Sequence, residues 1–334
     1  TGEVLALVTY PSYDNNMMSG TVDAAYFAKL RSDLSQPLYN NATQAQKAPG
    51  STFKPITAIA GLEEGVISLG ETINCTGIYK EVAQPIKCWI SPGRHGPLDV
   101  IGGLTNSCNY FMNEVAHRLS MDENGVYNTE KGLETLRRYA TMFGLDHTSG
   151  VEITERDPQI SDIDPERTSM GQGTNSFTNV QLSRYVAALA NRGTVFELSL
   201  LDKLTDSDGN LIEDYTPEIS SQIQIQDSTW DAVAQGMRGV ITNTAIFKDF
   251  PVEIAGKTGT AEESTTRGNH AWFISYGPYT NPEICVTVNI PYGYSSSNAA
   301  SLARHVYELY YGYTTLDEVL NSGAIGASNV TIGD

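Results

Sequence analysis

The chain has 334 residues, 40% of them hydrophobic and 18% charged, which is the composition of a globular protein able to bury a large core and not of a disordered one. Its 39 acidic residues outweigh 21 basic ones, and the formal charge of −18 argues against a nucleic-acid partner and against docking on anionic lipid through a basic face. No stretch approaches the roughly 18 apolar residues of a membrane helix, and the four cysteines (Cys75, Cys88, Cys108, Cys285) are too few for a disulfide scaffold of this size.

The chain opens at Thr1 with neither an initiator Met nor a signal-peptide pattern, and reads as a fragment from which an anchor or upstream domain has been cut. Val4 to Tyr10 is apolar and β-branched and predicts a strand, ended by Pro11-Ser12. A short helix is expected around Asp23–Lys29. Pro49-Gly50 marks a turn, after which Phe53, Ile56 and Ile59/Ala60 recur at helical spacing, with Pro55 in the tolerant first turn and Gly65 closing the helix. Ile73 to Asp99 is an irregular excursion. A helix starts at Asp99, breaks at Thr105-Asn106 and continues over Asn109–Leu119. Glu130–Phe143, Val180–Asn191 and Thr229–Val240 are further helices. Thr205 to Asn210 is a hairpin turn whose acidic spacing imitates a calcium loop, but Leu211 stands where that loop needs Gly. Val252 to Thr260, His270–Gly277 and Ile284–Ile290 predict three successive strands, and Asn298–Tyr311 a closing helix. The pattern predicts a layered α/β (α+β) fold: an antiparallel sheet flanked by helices, plus an all-helical subdomain. The expected division is a domain over residues 1–315 and a C-terminal extension over 316–334.

Three short strings carry chemistry. In Ser51-Thr52-Phe53-Lys54, positions i and i+3 of a helix start share a face and set a hydroxyl beside an ammonium. A serine needs an adjacent base to become a nucleophile, and a desolvated lysine near other cations can serve as one. Alone, the string is better read as an N-cap serine with an exposed lysine. In Ser107-Cys108-Asn109, a hydroxyl able to relay a proton and an amide able to grip a peptide would point the same way on a turn or strand, while the plainer reading is a polar loop between helices. In Lys257-Thr258-Gly259-Thr260, a lysine and two hydroxyls can bind a carboxylate, and Gly259 leaves room for a ligand backbone. A phosphate loop is excluded because Pro251 occupies the position of its first glycine.

In the order S-x-x-K, S-x-N, K-T-G-T, separated by 56 and then 150 positions, the strings become specific. The chain resembles the transpeptidase domain of penicillin-binding proteins. Ala48-Pro49-Gly50-Ser51, Asn41-Ala42-Thr43-Gln44, Gly171-Gln172-Gly173 and the opening Thr1 to Val8 are similar to that domain as well, so the resemblance covers about residues 1 to 312. It implies the penicillin-binding/serine β-lactamase-like fold and a peptidoglycan D,D-transpeptidase. Ser51 would be acylated by the D-Ala-D-Ala end of a stem peptide, with Lys54 as general base, Ser107 as proton relay and Asn109 holding the substrate amide. Lys257 and Thr258 would supply positive field and a hydroxyl, Thr260 would bind the terminal carboxylate, and the Ser51 and Thr260 N–H groups would form the oxyanion hole. An amine of a second stem peptide would then accept the acyl group, and β-lactams would acylate the same serine. A β-lactamase would need an E-x-x-L-N loop between Asn109 and Lys257; none is present, and the nearest imitation, Asp317 to Asn321, comes after the third motif.

Cys88-Trp89 and His95-Gly96 look like the class B, elongation or sporulation type. The resemblance further implies an extracytoplasmic position, anchored through a missing N-terminal segment, and a membrane glycosyltransferase of the wall-synthesis complex as partner. The alternatives are a penicillin-sensing receptor domain, a D,D-carboxypeptidase that passes the acyl group to water, and an inactive scaffold. No cofactor is required for the chemistry.

Cys75, Cys88, His95 and Asp99 are acceptable zinc ligands by type. Some clostridial class B members carry a zinc site beside the active site, and this segment resembles it; a structural ion would tether the Cys75–Asp99 loop beside Ser107. A disulfide, or two inert thiols with a packing histidine, are the other readings. Cys108 and Cys285 read as buried apolar thiols, His117, His147 and His305 as structural or surface residues, and Trp272 as core.

Overall fold

A computed structural model describes residues 1–261 and 268–322. A 3-10 turn, Asn16–Met18, precedes α1 (Ala24–Ser32), whose first turn is capped by the Asp23 carboxylate accepting from the Tyr26 N–H. After α2 (Asn41–Gln44), a 3-10 turn over Gly50–Phe53 runs directly into α3 (Lys54–Glu63). The predicted helix is therefore present, with Ser51 in its tighter opening turn. The excursion forms two minimal antiparallel pairs, β1 (Ile73–Cys75) with β4 (Gly96–Leu98) and β2 (Ile78–Tyr79) with β3 (Ile86–Lys87). The helices α4 (Val100–Thr105), α5 (Asn109–Leu119), α6 (Thr129–Met142), α7 (Pro165–Ser169) and α8 (Asn179–Ala190) then build the helical body. The Thr178 hydroxyl and the Gln181 side chain form a reciprocal capping box at the start of α8.

Beyond it, β5 (Thr194–Phe196) pairs with β8 (Ile219–Gln222), and β6 (Lys203–Thr205) with β7 (Leu211–Asp214) around the expected turn. Next come α9 (Asp227–Thr242) and the principal sheet, of order β11-β10-β9, with β9 (Ala255–Ala261), β10 (His270–Gly277) and β11 (Ile284–Ile290), all antiparallel. The chain closes with α10 (Ser296–Tyr310) and α11 (Leu316–Ser322). The rest of the expected C-terminal extension, residues 323–334, lies outside the described residues.

The period of two along β10 sorts the core into two layers. Trp272, Ile274 and Tyr276 belong to the larger core, built mainly with α3, α5, α8 and α9. Ala271 and Phe273 point the other way, against Ala299, Ala300, Ala303 and Tyr307 of α10. β10 is buried on both sides, and β9 forms one edge of the sheet. The layered α/β arrangement read from the sequence is thus present.

One predicted strand is not. Val4 to Tyr10 makes no ladder: Glu3 bridges Ser199 and the Val4 N–H donates to the Ser199 carbonyl, after which Leu5, Val8 and Tyr10 are 61%, 75% and 90% exposed. The apolar, β-branched run is there, but its backbone pairs only beside Ser199 among the described residues, so its side chains bury little. The third-motif strand also starts at Ala255, three residues later than Val252.

Candidate active site

The first motif is locked from both sides. Behind it, the Gly50 N–H donates to the Gly171 carbonyl at 3.1 Å, and the Thr52 hydroxyl donates to the Pro49 carbonyl at 2.9 Å. In front, a Cβ on Gly50, whose φ is +53°, would stand 2.6 Å from the Thr260 carbonyl oxygen. A Cβ on Gly259 would stand 2.7 Å from Thr52 Cγ2. The sequence assigned Gly259 to the approach of a ligand backbone; the close neighbour is the protein's own first motif. The two glycines let an edge strand lie against a 3-10 turn, and so set Ser51, which is 7% exposed, beside β9.

The second motif enters from the α4–α5 turn. Ser107 has φ +48°, a left-handed conformation unusual for a side-chain-bearing residue, and Asn109 is the first residue of α5. Lys54 Nζ, fully buried, donates to the Ser107 carbonyl at 2.6 Å, to Ser107 Oγ at 3.1 Å and to Asn109 Oδ1 at 2.6 Å. From the sheet, the buried Lys257 Nζ donates to the same Ser107 Oγ at 2.8 Å and to the Thr258 carbonyl at 3.0 Å. Three strings read separately from the sequence therefore meet on one hydroxyl. A serine oxygen has two lone pairs. With both accepting from lysine N–H groups, the Ser107 proton is directed outward, toward the cleft. Thr258 and Thr260 are half-buried and share a face of β9, opposite Lys257 and Gly259.

Cys108 turns the opposite way from Ser107. Its Sγ accepts from the Phe111 N–H and caps α5, and it is 3.9 Å from Cys88 Sγ. The ligand atoms of Cys75, Cys88, His95 and Cys108 all lie within 4.8 Å of one another. This corrects the sequence on one ligand. Asp99 is not in the cluster: its Oδ1 caps α4, accepting from the Gly102 N–H at 2.7 Å. Cys108 stands in its place because the turn after α4 brings the chain back under Cys88. All four cysteines are free. Hydrogen bonding with Cys108 lowers the Cys75 thiol to about 6 and the Cys88 thiol to about 4, and the same contacts raise Cys108. His95 Nδ1 is 3.6 Å from Cys88 Sγ, while its Nε2 is buried with no hydrogen-bond partner. Three thiols and an imidazole gathered this closely, with one ring nitrogen unsatisfied, fit a tetrahedral zinc ion. Burial pushes the Cys285 thiol up to about 12, in keeping with an inert thiol.

Trp89, half-exposed, donates its indole N–H to the Asn106 carbonyl at 3.0 Å and meets the His95 ring edge-on. Trp272 is core, as expected, and its indole donates to the Ala48 carbonyl, three residues before Ser51. One buried carboxylate escaped the sequence reading, and it gives the structural histidine its partner. Glu166, 2% exposed, accepts from the Tyr127 hydroxyl at 3.0 Å and lies 3.2 Å from His117 Nδ1, so His117 bridges α5 and α7. No local string announces that pair, because its members are 49 positions apart.

Comparison with known proteins agrees with this geometry. The family described as "Penicillin binding protein transpeptidase domain" matches residues 1–308. "Peptidoglycan D,D-transpeptidase MrdA" of Haemophilus influenzae is 30% identical over 350 residues, covering 92% of this chain and 51% of the relative. The chain thus spans about half the length of the curated relatives it matches. The imipenem acyl-enzyme of penicillin-binding protein A from M. tuberculosis superposes with a TM-score of 0.81 at 26% identity, over 93% of this chain and 71% of that one. A chain from a peptidoglycan synthase complex, solved for its coordination of polymerization and crosslinking, gives 0.82 at 27% identity, over 95% and 55%. The family match runs through all three motifs that converge on Ser107, and the chain belongs to the penicillin-binding protein transpeptidase domain family.

Proposed function

We propose that this chain is the catalytic domain of a peptidoglycan D,D-transpeptidase working through an acyl-enzyme on Ser51. Ser51 Oγ attacks the carbonyl of the penultimate D-Ala of a donor stem peptide while Lys54 takes its proton. The oxyanion is met by the Ser51 and Thr260 N–H groups, two fixed donors of the kind worth several kcal/mol in such sites. The proton passes through Ser107 to the nitrogen of the departing D-Ala as the C–N bond breaks. Asn109 holds the substrate amide, Lys257 and Thr258 supply positive field and a hydroxyl, and Thr260 binds the terminal carboxylate. The amine of a second stem peptide then attacks the ester, forms the cross-link and frees Ser51. The observation that carries this reading is the Ser107 hydroxyl shared by Lys54 and Lys257, one amine from each layer of the fold.

A β-lactam would acylate Ser51 in the same way, with its leaving nitrogen tethered in the opened ring. Hydrolysis would be slow, since no E-x-x-L-N string that could supply a deacylating carboxylate lies between Asn109 and Lys257. The name of the MrdA relative favours the elongation type, and the synthase complex favours a polymerising glycosyltransferase at the membrane surface as partner. Among the described residues no helix is long and apolar enough to cross a membrane.

Cys75, Cys88, His95 and Cys108 would hold a structural zinc ion. The ion would supply a rigid cross-link between the excursion and the second motif, and no step of the acyl transfer passes through it.

The test is intact-protein mass spectrometry after incubation with benzylpenicillin, with Ser51→Ala alongside. One adduct stable for hours and absent from the variant is expected. An adduct on the variant, or none on the wild type, would overturn the assignment; an adduct lost within seconds would replace it with a hydrolase.

A further inference from the structure

The polar groups on α5 do not stop at the cleft. Asn109, Asn113 and His117 follow one another at four-residue spacing and so lie on one face of the helix, spanning about 12 Å at 1.5 Å per residue. The first accepts from Lys54 Nζ and the last meets Glu166, both within hydrogen-bond reach. Asn113 stands between them, fully buried, and neither its Oδ1 nor its Nδ2 has a hydrogen-bond partner.

A buried carboxamide with both ends unsatisfied is rare in a folded protein, because desolvation costs more than immobilising a water that restores the bonds. An apolar side chain at this position would have avoided that penalty. Buried waters occupy such polar niches and bind two to four protein groups each. We propose that Asn113 is the binding site of an internal water, which completes a polar ladder along α5 from the Lys54 amine to the His117–Glu166 pair. Asn113 is then a positioning residue. By satisfying the amide one turn below Asn109, the water fixes the rotation of α5 and with it the Asn109 oxygen on which Lys54 rests. α5 packs against both α3, which carries Lys54, and α7, which carries Glu166, so the ladder also ties the floor of the cleft to the element before Gly171.

The role, though not the water itself, rests on the reading of Lys54 given under Proposed function. A high-resolution crystal structure of the wild-type domain is expected to contain an ordered water hydrogen-bonded to the Asn113 amide. Asn113→Leu, which fills the space with an apolar side chain, should lose the water and slow acylation by a fluorescent penicillin about tenfold, as small displacements of a catalytic group do. Asn113→Ser, which leaves room for the water and a group to hold it, should recover most of that rate. Absence of the water from the wild type would overturn the proposal. So would Asn113→Leu acylating at the wild-type rate, or Asn113→Ser as slow as Asn113→Leu. If the wild type were not acylated at all, the transpeptidase reading would fail, and the crystallographic result would still decide the water.

Discussion

Two polar clusters share the single turn Ser107-Cys108 and differ in how they are held. On the cleft side, the Lys54 and Lys257 amines converge on Ser107 Oγ, and each finds further acceptors in the protein itself. The cluster closes on its own hydrogen bonds and is clamped by backbone contacts around Gly50 and Gly259. On the other side, Cys75, Cys88, His95 and Cys108 gather without closing: a ring nitrogen is left unpartnered and three thiols compete for the same protons. Neighbouring residues in the chain thus belong to one site that is complete in the polypeptide and one that we propose an ion completes.

Breaking each side in turn should separate them. The largest effect is expected at the cleft: Lys54→Met removes the proposed base while filling its buried volume, and acylation by penicillin should fall about a thousandfold with little loss of secondary structure by circular dichroism. Next, Gly259→Ala should destabilise the fold by about 3 kcal/mol in urea denaturation, because the new Cβ meets Thr52 Cγ2 at 2.7 Å and neither the edge strand nor the 3-10 turn can easily retreat. On the thiol side, Cys88→Ser, or incubation with a strong chelator, should lower the melting temperature by roughly 5 °C and slow acylation only in proportion to lost rigidity. Unchanged melting under both treatments would return the cluster to three inert thiols and a packing histidine.

The smallest effect concerns the root of the excursion. Glu71 accepts from Arg118 Nη1 at 2.5 Å, and that hydrogen bond holds its carboxyl below the ordinary carboxylate range. A depressed folded value means the pair stabilises above the unfolded carboxyl pKa and loses that contribution as pH falls through the folded one. With both side chains about one-third exposed, Glu71→Gln should cost less than about 1 kcal/mol near neutral pH and nothing in strong acid, read from melting curves at several pH values.

The same contrast explains what the sequence disclosed. The cleft was legible because each part is a short string with its own chemistry, and the strings occur in a specific order. The thiol–imidazole cluster was legible in type but not in membership. A carboxylate that caps a helix and one that binds a metal look alike in a sequence, so Asp99 was placed where Cys108 belongs. The Val4 to Tyr10 strand failed for a related reason: an apolar, β-branched run reports which side chains could be buried, while burial needs a partner edge, and among the described residues its backbone pairs only around Ser199. Asn113 and the partner of His117, Glu166, were silent because only the packing of α5 on α7 gives them meaning. In the larger elements, the long amphipathic helices had helical periodicity and the two strands after Lys257 were apolar runs bounded by turns, so both needed little tertiary context.

The descent of the reactive groups from distant parts of the chain has a consequence for how the protein is born. Ser51 and Lys54 leave the ribosome early, but Lys257 and the strand edge that flanks them are made some two hundred residues later. Contacts of such long sequence separation form late, since the entropy of closing the loop is lost before they add stability. A nascent or half-folded chain therefore holds a serine without its cleft, and acquires reactivity only when sheet and helical body have docked. Labelling by penicillin would serve as a stopwatch for that final docking.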